Sequence, residues 1–386
     1  MKTISASFVH CIILTSFLLE ACRQDEYVTF VTDEDTGQHS TASTSEITGL
    51  YLINEGNMGS NKCTLDYLDL SSDQATVHYY RNIYADRNPD QVLELGDVGN
   101  DIKIYGSRLW MIVNCSNKVE VCRATDARHL GKIDIANCRY LAFDQGFAYV
   151  SSYAGPRQMS HDSMLGRVYK VDTLTLQKVD SVTVGYQPEE MAIAGRRLYV
   201  ANSGGYRLAG YDNTVSVVDL DQMQVTETIE VADNLHRMAA DRYGQVWVSS
   251  RGDYYETPSS LSWIEPSSHE VGHLDIPVSE MCLVGDSLYY LGSSFSYITG
   301  KNSVEMGIVN VRTHQRIVTT LFDDPAIGSI KLPYGIIVNP IDRDFYLMDA
   351  KNYVSSGELL HFLPDGTFDW SVWTGDIPSK ACFVRK

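Results

Sequence analysis

Apolar residues come in short runs rich in Val, Ile and Tyr, closed off by Gly, Pro, Asn or Asp, and the runs recur in groups of four. The clearest group covers 186–231. It contains Pro188-Glu-Glu-Met-Ala-Ile193, a turn at Gly195-Arg196, Leu198-Tyr-Val-Ala-Asn202, a Gly/Tyr-rich loop, Asn213-Thr-Val-Ser-Val-Val-Asp-Leu220, and a last run over 225–231. Runs of this length and composition, bounded in this way, predict strands joined by turns. A four-strand unit repeated along the chain predicts a β-propeller.

Aligning on the second strand gives seven copies: Leu50-Tyr-Leu-Ile-Asn54, Leu109-Trp-Met-Ile-Val-Asn114, Ala148-Tyr-Val-Ser-Ser152, Leu198-Tyr-Val-Ala-Asn202, Val246-Trp-Val-Ser-Ser250, Leu288-Tyr-Tyr-Leu-Gly292 and Phe345-Tyr-Leu-Met-Asp349. Third strands are expected at 64–70, 118–123, 167–171, 213–220, 261–264, 306–311 and 358–362. The first copy lacks a first strand, and the C-terminus offers a spare, Lys380-Ala-Cys-Phe-Val384. Set beside 49–54 it completes the first blade and leaves no open sheet edge between the ends of the ring. The expectation is an all-β, seven-bladed propeller over 47–386, closed by its C-terminal strand.

Strands alternate in direction, so loops from second to third strand and loops between blades emerge on one face. These are the long ones: 55–62, 151–166, 203–212, 251–259, 293–305 and 350–356, with the blade-to-blade loops 81–97 and 323–333. The opposite face carries tight turns at 106–107, 144–146, 195–196 and 285–287. Elaborate loops on a rigid scaffold place the site on the long-loop face. Aromatic residues crowd there: Tyr84, Tyr153, Tyr206, Tyr211, Tyr254, Tyr255, Phe295, Tyr297, Tyr334 and Tyr353. Tyr offers contact area at little rotamer cost, plus a hydroxyl. Arg81, Arg87, Arg157, Arg207 and Arg251 add planar donors. Tyr153, Arg157, Tyr206, Arg207, Arg251, Tyr254 and Tyr255 fall in three consecutive loops and are expected to form one aromatic and cationic wall. The alternative is that many of these tyrosines pack loops onto blades. Asn54, Asn114 and Asn202, which end three second strands at this face, join the candidate ligand-binding set with Arg139, Arg237 and Tyr334.

Those last three belong to a second pattern. The residue before the apolar core of each first strand is Asn100, Arg139, Glu190, Arg237, Glu280, Tyr334 and Lys380 in blade order. First strands line the central channel, so a polar ring at its mouth is expected, its alternating signs suggesting an ion-pair lattice. The other possibility is that Arg139, Arg237 and Lys380 reach a ligand. For catalysis, His236 is the histidine placed at the mouth, and Glu189, Glu190 and Glu280 could hold a cation. No nucleophile with an oriented base stands out, so no catalytic residue and no metal site is assigned. The tripeptide Arg251-Gly-Asp253 is too short to carry an adhesion reading.

The 386 residues carry a formal charge of −18, which disfavours nucleic acid and anionic membrane surfaces as partners. At the N-terminus, Lys2 precedes an apolar stretch over 8–19, too short for the roughly 20 residues that span a bilayer but suited to an export signal. It ends in Leu19-Glu-Ala-Cys22, which resembles a bacterial lipobox, with Glu20 as a departure. The resemblance implies a signal peptide over 1–21 and acylation of Cys22. A conventional signal with a chance Cys is the alternative. Arg23-Gln-Asp-Glu26 looks like the acidic signal that sends lipoproteins of Bacteroidota to the outer face of the outer membrane, and 22–46, Thr/Ser/Asp/Glu/Gly-rich, reads as a flexible surface tether. Of the eight Cys, Cys63, Cys115, Cys122, Cys138, Cys282 and Cys382 lie in the expected propeller without zinc-ligand spacing. Cys115 and Cys138 fall near adjacent loops and could pair; buried thiols are the alternative.

The Leu-Tyr-Val-Ala-Asn and Thr-Val-Ser-Val-Val-Asp-Leu segments resemble the YVTN-type propellers, a likeness of fold. In its loops the chain resembles the cobalamin-capturing surface lipoproteins of Bacteroidota, the BtuG type. That likeness rests on Asn54-Glu-Gly-Asn-Met-Gly-Ser60, Tyr84-Ala-Asp-Arg-Asn-Pro89, Gly96-Asp-Val-Gly-Asn-Asp101, Val113-Asn-Cys-Ser-Asn-Lys118, Ser151-Ser-Tyr-Ala-Gly-Pro156, Ala201-Asn-Ser-Gly-Gly-Tyr206 and Ser249-Ser-Arg-Gly-Asp-Tyr-Tyr255. It implies a non-enzymatic protein that binds vitamin B12 or related corrinoids outside the cell, as transported ligand rather than cofactor, and hands them to a TonB-dependent outer-membrane transporter on which it sits like a lid. A lactonase- or lyase-like propeller enzyme and an adhesion or glycan-binding module are the alternatives.

Overall fold

The second strand of each repeat is apolar on both sides because both sides are covered. In Arg197–Asn202 every residue after the first is buried, the signature of a strand packed between two layers rather than against one. In the computed structural model those layers are neighbouring blades of a seven-bladed propeller. The structure describes residues 34–38, 46–71, 76–156, 159–296 and 301–386; the expected signal peptide, Cys22 and Arg157 lie outside them.

Blades 2 to 7 are four-stranded and antiparallel, with the chain running outward from the first strand. The inner strands are Gly99–Tyr105, Cys138–Asp144, Pro188–Ala194, Leu235–Ala240, Glu280–Val284, Pro333–Val338 and Pro378–Arg385, and each adjoins the next around the channel. The last of these is the C-terminal strand. It pairs with Ile47–Asn54 in the register Gly49↔Val384 to Ile53↔Lys380, so the ring closes as the strand count requires. One apolar cluster fills the gap between each pair of neighbouring blades, from Tyr51, Ile53 and Met111 between blades 1 and 2 to Leu52, Tyr346 and Trp370 between blades 7 and 1.

Three features depart from the sequence reading. Within the segment read as a tether, Glu34–Gln38 is a strand on the outer edge of blade 1, antiparallel to Thr76–Tyr80 and tied by a Glu34–Arg81 ion pair. Blade 1 therefore has five strands. The expected loop 293–305 is mostly hairpin: Ser287–Ser296 pairs with Lys301–Asn310 along its whole length, there being no Gly or Pro over 293–299 to stop the first of these strands. The blade-to-blade loops contain two single-turn helices, Ile83–Arg87 and Pro325–Ser329, the second capped by Asp324, whose side chain accepts from the Ala326 amide.

Six of the seven inner strands carry one extra residue where they begin, at the long-loop face. Arg139 and Tyr140 stand opposite the single residue Ser151, Glu189 and Glu190 opposite Ala201, and His236 and Arg237 opposite Ser249; blades 1, 2 and 7 do the same at Ser379, Asn100 and Tyr334. Such bulges bend a strand and re-aim its side chains. Here they bring neighbouring polar residues to the channel mouth.

Candidate binding site

The polar residues at the mouth are tied to one another by hydrogen bonds and ion pairs. Arg139 donates to Asn100 Oδ1 at 2.8 Å and pairs with Glu189 at 2.9 Å. Arg237 pairs with Glu280 and donates to the Tyr140 hydroxyl at 2.6 Å. Lys380 pairs with Glu280 at 2.8 Å and with Glu190 at 3.7 Å. Tyr334 donates to Glu55 at 2.9 Å. Burial opposes the charge on Glu189, yet the guanidiniums of Arg139 and Arg251 and the Tyr153 hydroxyl outweigh it and hold the carboxyl below its usual range. Glu190 is likewise lowered, Lys380 and Arg237 overcoming burial. The opposite holds at Glu55, where burial wins and the pKa rises.

Glu189 joins this lattice to the loops above. Its Oε1 accepts the Tyr153 hydroxyl at 2.5 Å and faces Arg251 at 3.5 Å, while the Arg139 guanidinium lies 4.9 Å from the Tyr153 ring centre. Tyr153 is thus buried, 3% exposed, and forms the floor of the wall rather than its surface. Tyr206 meets it edge to face at 6.0 Å and is itself exposed. The blade-3 and blade-4 loops are clipped by a short parallel bridge, Ser160 N donating to Tyr206 O and Leu208 N to Ser160 O. The Arg207 guanidinium stacks 3.9 Å above Tyr186. In the blade-5 loop Tyr254 lies edge-on to Tyr211 at 6.5 Å, and Tyr254 and Tyr255 are exposed. Asp253 fixes that loop by accepting the amides of Tyr255, Glu256 and Thr257. A cavity of about 50 Å³ between Tyr153, Pro156, Met164 and Gln187 lies at the foot of the wall.

The structure therefore brings Tyr153, Tyr206, Arg207, Arg251, Tyr254 and Tyr255 to neighbouring loops, with Arg139 and Arg237 beneath them. It does not bring Asn54, Asn114 and Asn202 to the surface. Each is buried and its amide NH2 donates within the fold: Asn54 to Thr64 and Asp66, Asn114 to Asn137 and the Cys138 carbonyl, Asn202 to Thr214 and Ser216. Tyr334 is half-buried, edge-on to the exposed Tyr353 at 5.6 Å, across the mouth in blade 7. Tyr84, expected among the loop aromatics, is buried and donates to Glu120. The Cys115 and Cys138 thiols donate to Asn114 Oδ1 and Lys118 O instead of joining each other. Among the described residues no cluster of His, Cys, Asp and Glu is arranged to hold a metal ion. Tyr140, Glu189, His236 and Glu55 are the mouth residues that the candidate ligand-binding set lacked.

Residues 48–359 match the family model described as a domain of unknown function (DUF5074). No curated protein matches the sequence. Among solved structures the fold is similar to hydrazine synthase of Kuenenia stuttgartiensis, with TM-score 0.56, 16% identity, and coverage of 73% of this chain and 93% of that one. It is also similar to a quinonprotein alcohol dehydrogenase-like protein of Bacteroides thetaiotaomicron, with TM-score 0.53, 12% identity, and coverage of 88% and 78%. A Synechocystis apocarotenoid oxygenase variant gives TM-score 0.53 and 12% identity, covering 92% and 96%. At these identities the likeness is one of fold.

Proposed function

The chain belongs to the DUF5074 family, and from its long-loop face we propose that it is a surface lipoprotein that binds cobalamin or a related corrinoid and passes it to a TonB-dependent outer-membrane transporter. The observation that carries this reading is the wall of three successive loops, with Tyr206, Tyr254 and Tyr255 exposed above a floor fixed by Tyr153, Glu189 and Arg251. A corrinoid is broad, rigid and rimmed with amides. A shallow aromatic face with hydroxyl and guanidinium donors can cover one side of it and pair its rim, and two rigid partners lose little freedom on meeting. Binding rather than catalysis is favoured because the acids and bases of the mouth are tied into ion pairs with one another. Several acyl chains on Cys22, each buried CH₂ contributing about 0.8 kcal/mol, would hold the protein at the outer membrane.

Calorimetric titration of the mature protein with cyanocobalamin tests the reading. Truncating a buried anchor typically costs about 2 kcal/mol of binding, roughly thirtyfold in Kd. Tyr206→Ala combined with Tyr254→Ala should weaken binding by well over tenfold with the fold intact, because both rings lie at the surface of the free protein, 37% and 40% exposed, and belong to no blade core. Ser107→Ala and Arg196→Ala, in the turns of the opposite face, should leave the affinity unchanged. Equal affinities in both sets would put the site elsewhere, and no heat with any corrinoid would remove the ligand assignment.

A further inference from the structure

The mouth of the channel holds two groups whose bonding is incomplete. Arg139 and Arg251 share a single carboxylate, Glu189, at 2.9 and 3.5 Å, whereas Arg237 and Lys380 are matched by Glu280 and Glu190. Glu55 is occupied by the Tyr334 hydroxyl and pushed by burial toward its neutral form. The surplus positive charge therefore sits on the Arg139–Arg251 side, and Arg251, the more exposed of the two, has the longer contact.

The second group is His236. The Tyr140 oxygen accepts from Arg237 at 2.6 Å, which leaves its own hydrogen to point at His236 Nε2, 3.3 Å away. Burial and the surrounding charges of Arg237, Arg251, Lys380 and Arg139 hold the imidazole far below its ordinary range, so it is neutral. With Nε2 accepting, the ring hydrogen is on Nδ1. That atom is buried and has no hydrogen-bond partner among the described residues, in a side chain 7% exposed. A buried N–H without an acceptor is a costly arrangement, and it becomes favourable when an acceptor arrives.

We propose that the channel mouth, at Arg251 and His236, is a receptor for one anionic oxygen group, a carboxylate or a phosphate, carried by the ligand of the long-loop face. The inference rests on that face being a binding face and not on the ligand being a corrinoid. Arg251 supplies a guanidinium whose planar donors match such oxygens and His236 Nδ1 a neutral donor; His236 is held by the inner strand Leu235–Ala240, and Arg251, just beyond the second strand, by Glu189 and by its amide bond to Asn234 O. A ligand lying on the wall would then be fixed at two points, by its apolar face on the tyrosines and by its anionic group at the mouth.

The test is a titration of the mature protein, with ¹⁵N-labelled histidine, against sodium phosphate in one arm and sodium acetate in the other, ionic strength being held constant with chloride. The His236 ring signals, identified by their loss in His236→Gln, should shift and saturate in at least one arm, and the arm that does so names the group. Arg251→Met should weaken that binding by about tenfold or more, the effect of losing one charge-assisted hydrogen bond. Failure to saturate in either arm, or unchanged affinity in Arg251→Met, overturns the proposal. Neither result depends on whether cyanocobalamin binds.

Discussion

Replacing Glu189 by Leu tests the idea that one buried carboxylate holds both the channel lattice and the wall above it. The substitution leaves Arg139 with Asn100 as its remaining side-chain acceptor, leaves Arg251 without its ion pair, and removes the acceptor of the Tyr153 hydroxyl. Removing one partner of a buried pair typically costs about 3–5 kcal/mol, because the other charge stays buried and uncompensated. The leucine fills nearly the same volume, so no large cavity term is added. A loss of about 4 kcal/mol is expected, lowering the thermal midpoint by about 8 °C at roughly 2 °C per kcal/mol for a domain of this size. Glu189→Gln, whose single amide oxygen can still accept from Arg139 while its NH2 faces the Tyr153 hydroxyl oxygen, should lose about half as much. Adding Arg139→Met to Glu189→Leu removes a stranded charge, so the double variant should be more stable than the sum of its parts by at least about 1.5 kcal/mol. The pH dependence has a definite sign. The folded pKa of Glu189 is depressed, so its contribution is complete above the ordinary carboxylate pKa and fades as pH falls through the lower folded value. The gap between wild type and Glu189→Leu should accordingly narrow in acid. Denaturant and thermal unfolding measure all five proteins, the Arg139→Met single variant included, and a loss under about 1 kcal/mol with no coupling to Arg139 would refute the keystone role.

Deleting everything after Ser379 should unfold or aggregate the protein, since it strips the inner edge of Ile47–Asn54 and removes Lys380 from the lattice; an unchanged melting temperature would contradict this. His361 bridges Asp344 at 2.9 Å and Asp369 at 3.1 Å, and these bonds outweigh burial to raise its pKa above the ordinary value. Its contribution is therefore complete below about pH 6.5 and lost as pH rises through the folded value, so the stability advantage over His361→Leu should shrink as pH is raised above about 6.5, and a constant difference would show that its charge adds nothing. Cys22→Ala should release the protein from the cell surface; a variant that stays membrane-bound and protease-accessible on intact cells would remove the lipoprotein proposal.

The blades were legible because their chemistry is local. Runs such as Val246-Trp-Val-Ser-Ser250 are buried on both sides, and the missing first strand of blade 1 pointed to a spare one at the C-terminus. The mouth was half legible. One residue per inner strand follows from alignment, and the expected lattice is present. The second residue does not follow, because period-two alternation sends neighbours to opposite faces, whereas the bulges opposite Ser151, Ala201 and Ser249 aim both at the mouth. That is how Tyr140, Glu189 and His236 escaped the aligned ring, His236 and Glu189 entering the sequence reading only as the histidine of the mouth and a candidate cation ligand. The strand-end asparagines were misleading for a different reason: their position beside the face is as expected, but Thr64, Asp66, Thr214 and Ser216 stand close enough to claim their amides. The strand at Glu34–Gln38 has almost no apolar signal, since it is held by edge pairing and an ion pair rather than by a core.

The pairing of the two ends of the propeller also sets the order in which the molecule can be completed. Thr48 Oγ1 bonds Val384 O, 336 residues away, so a strand that follows blades 2 to 7 in the chain finishes the first blade. Blades 2 to 7 consist of strands contiguous in sequence and can each assemble locally, but the ring cannot shut until Pro378–Arg385 has been made. Joining ends so far apart carries a loop-closure entropy of about 5 kcal/mol in a flexible chain, much of which is already met once the intervening blades have stacked. Closure should therefore be the late, slow step of folding, with Ile47–Asn54 as the edge left waiting for its partner and the point at which an unfinished molecule is open to pairing with another chain.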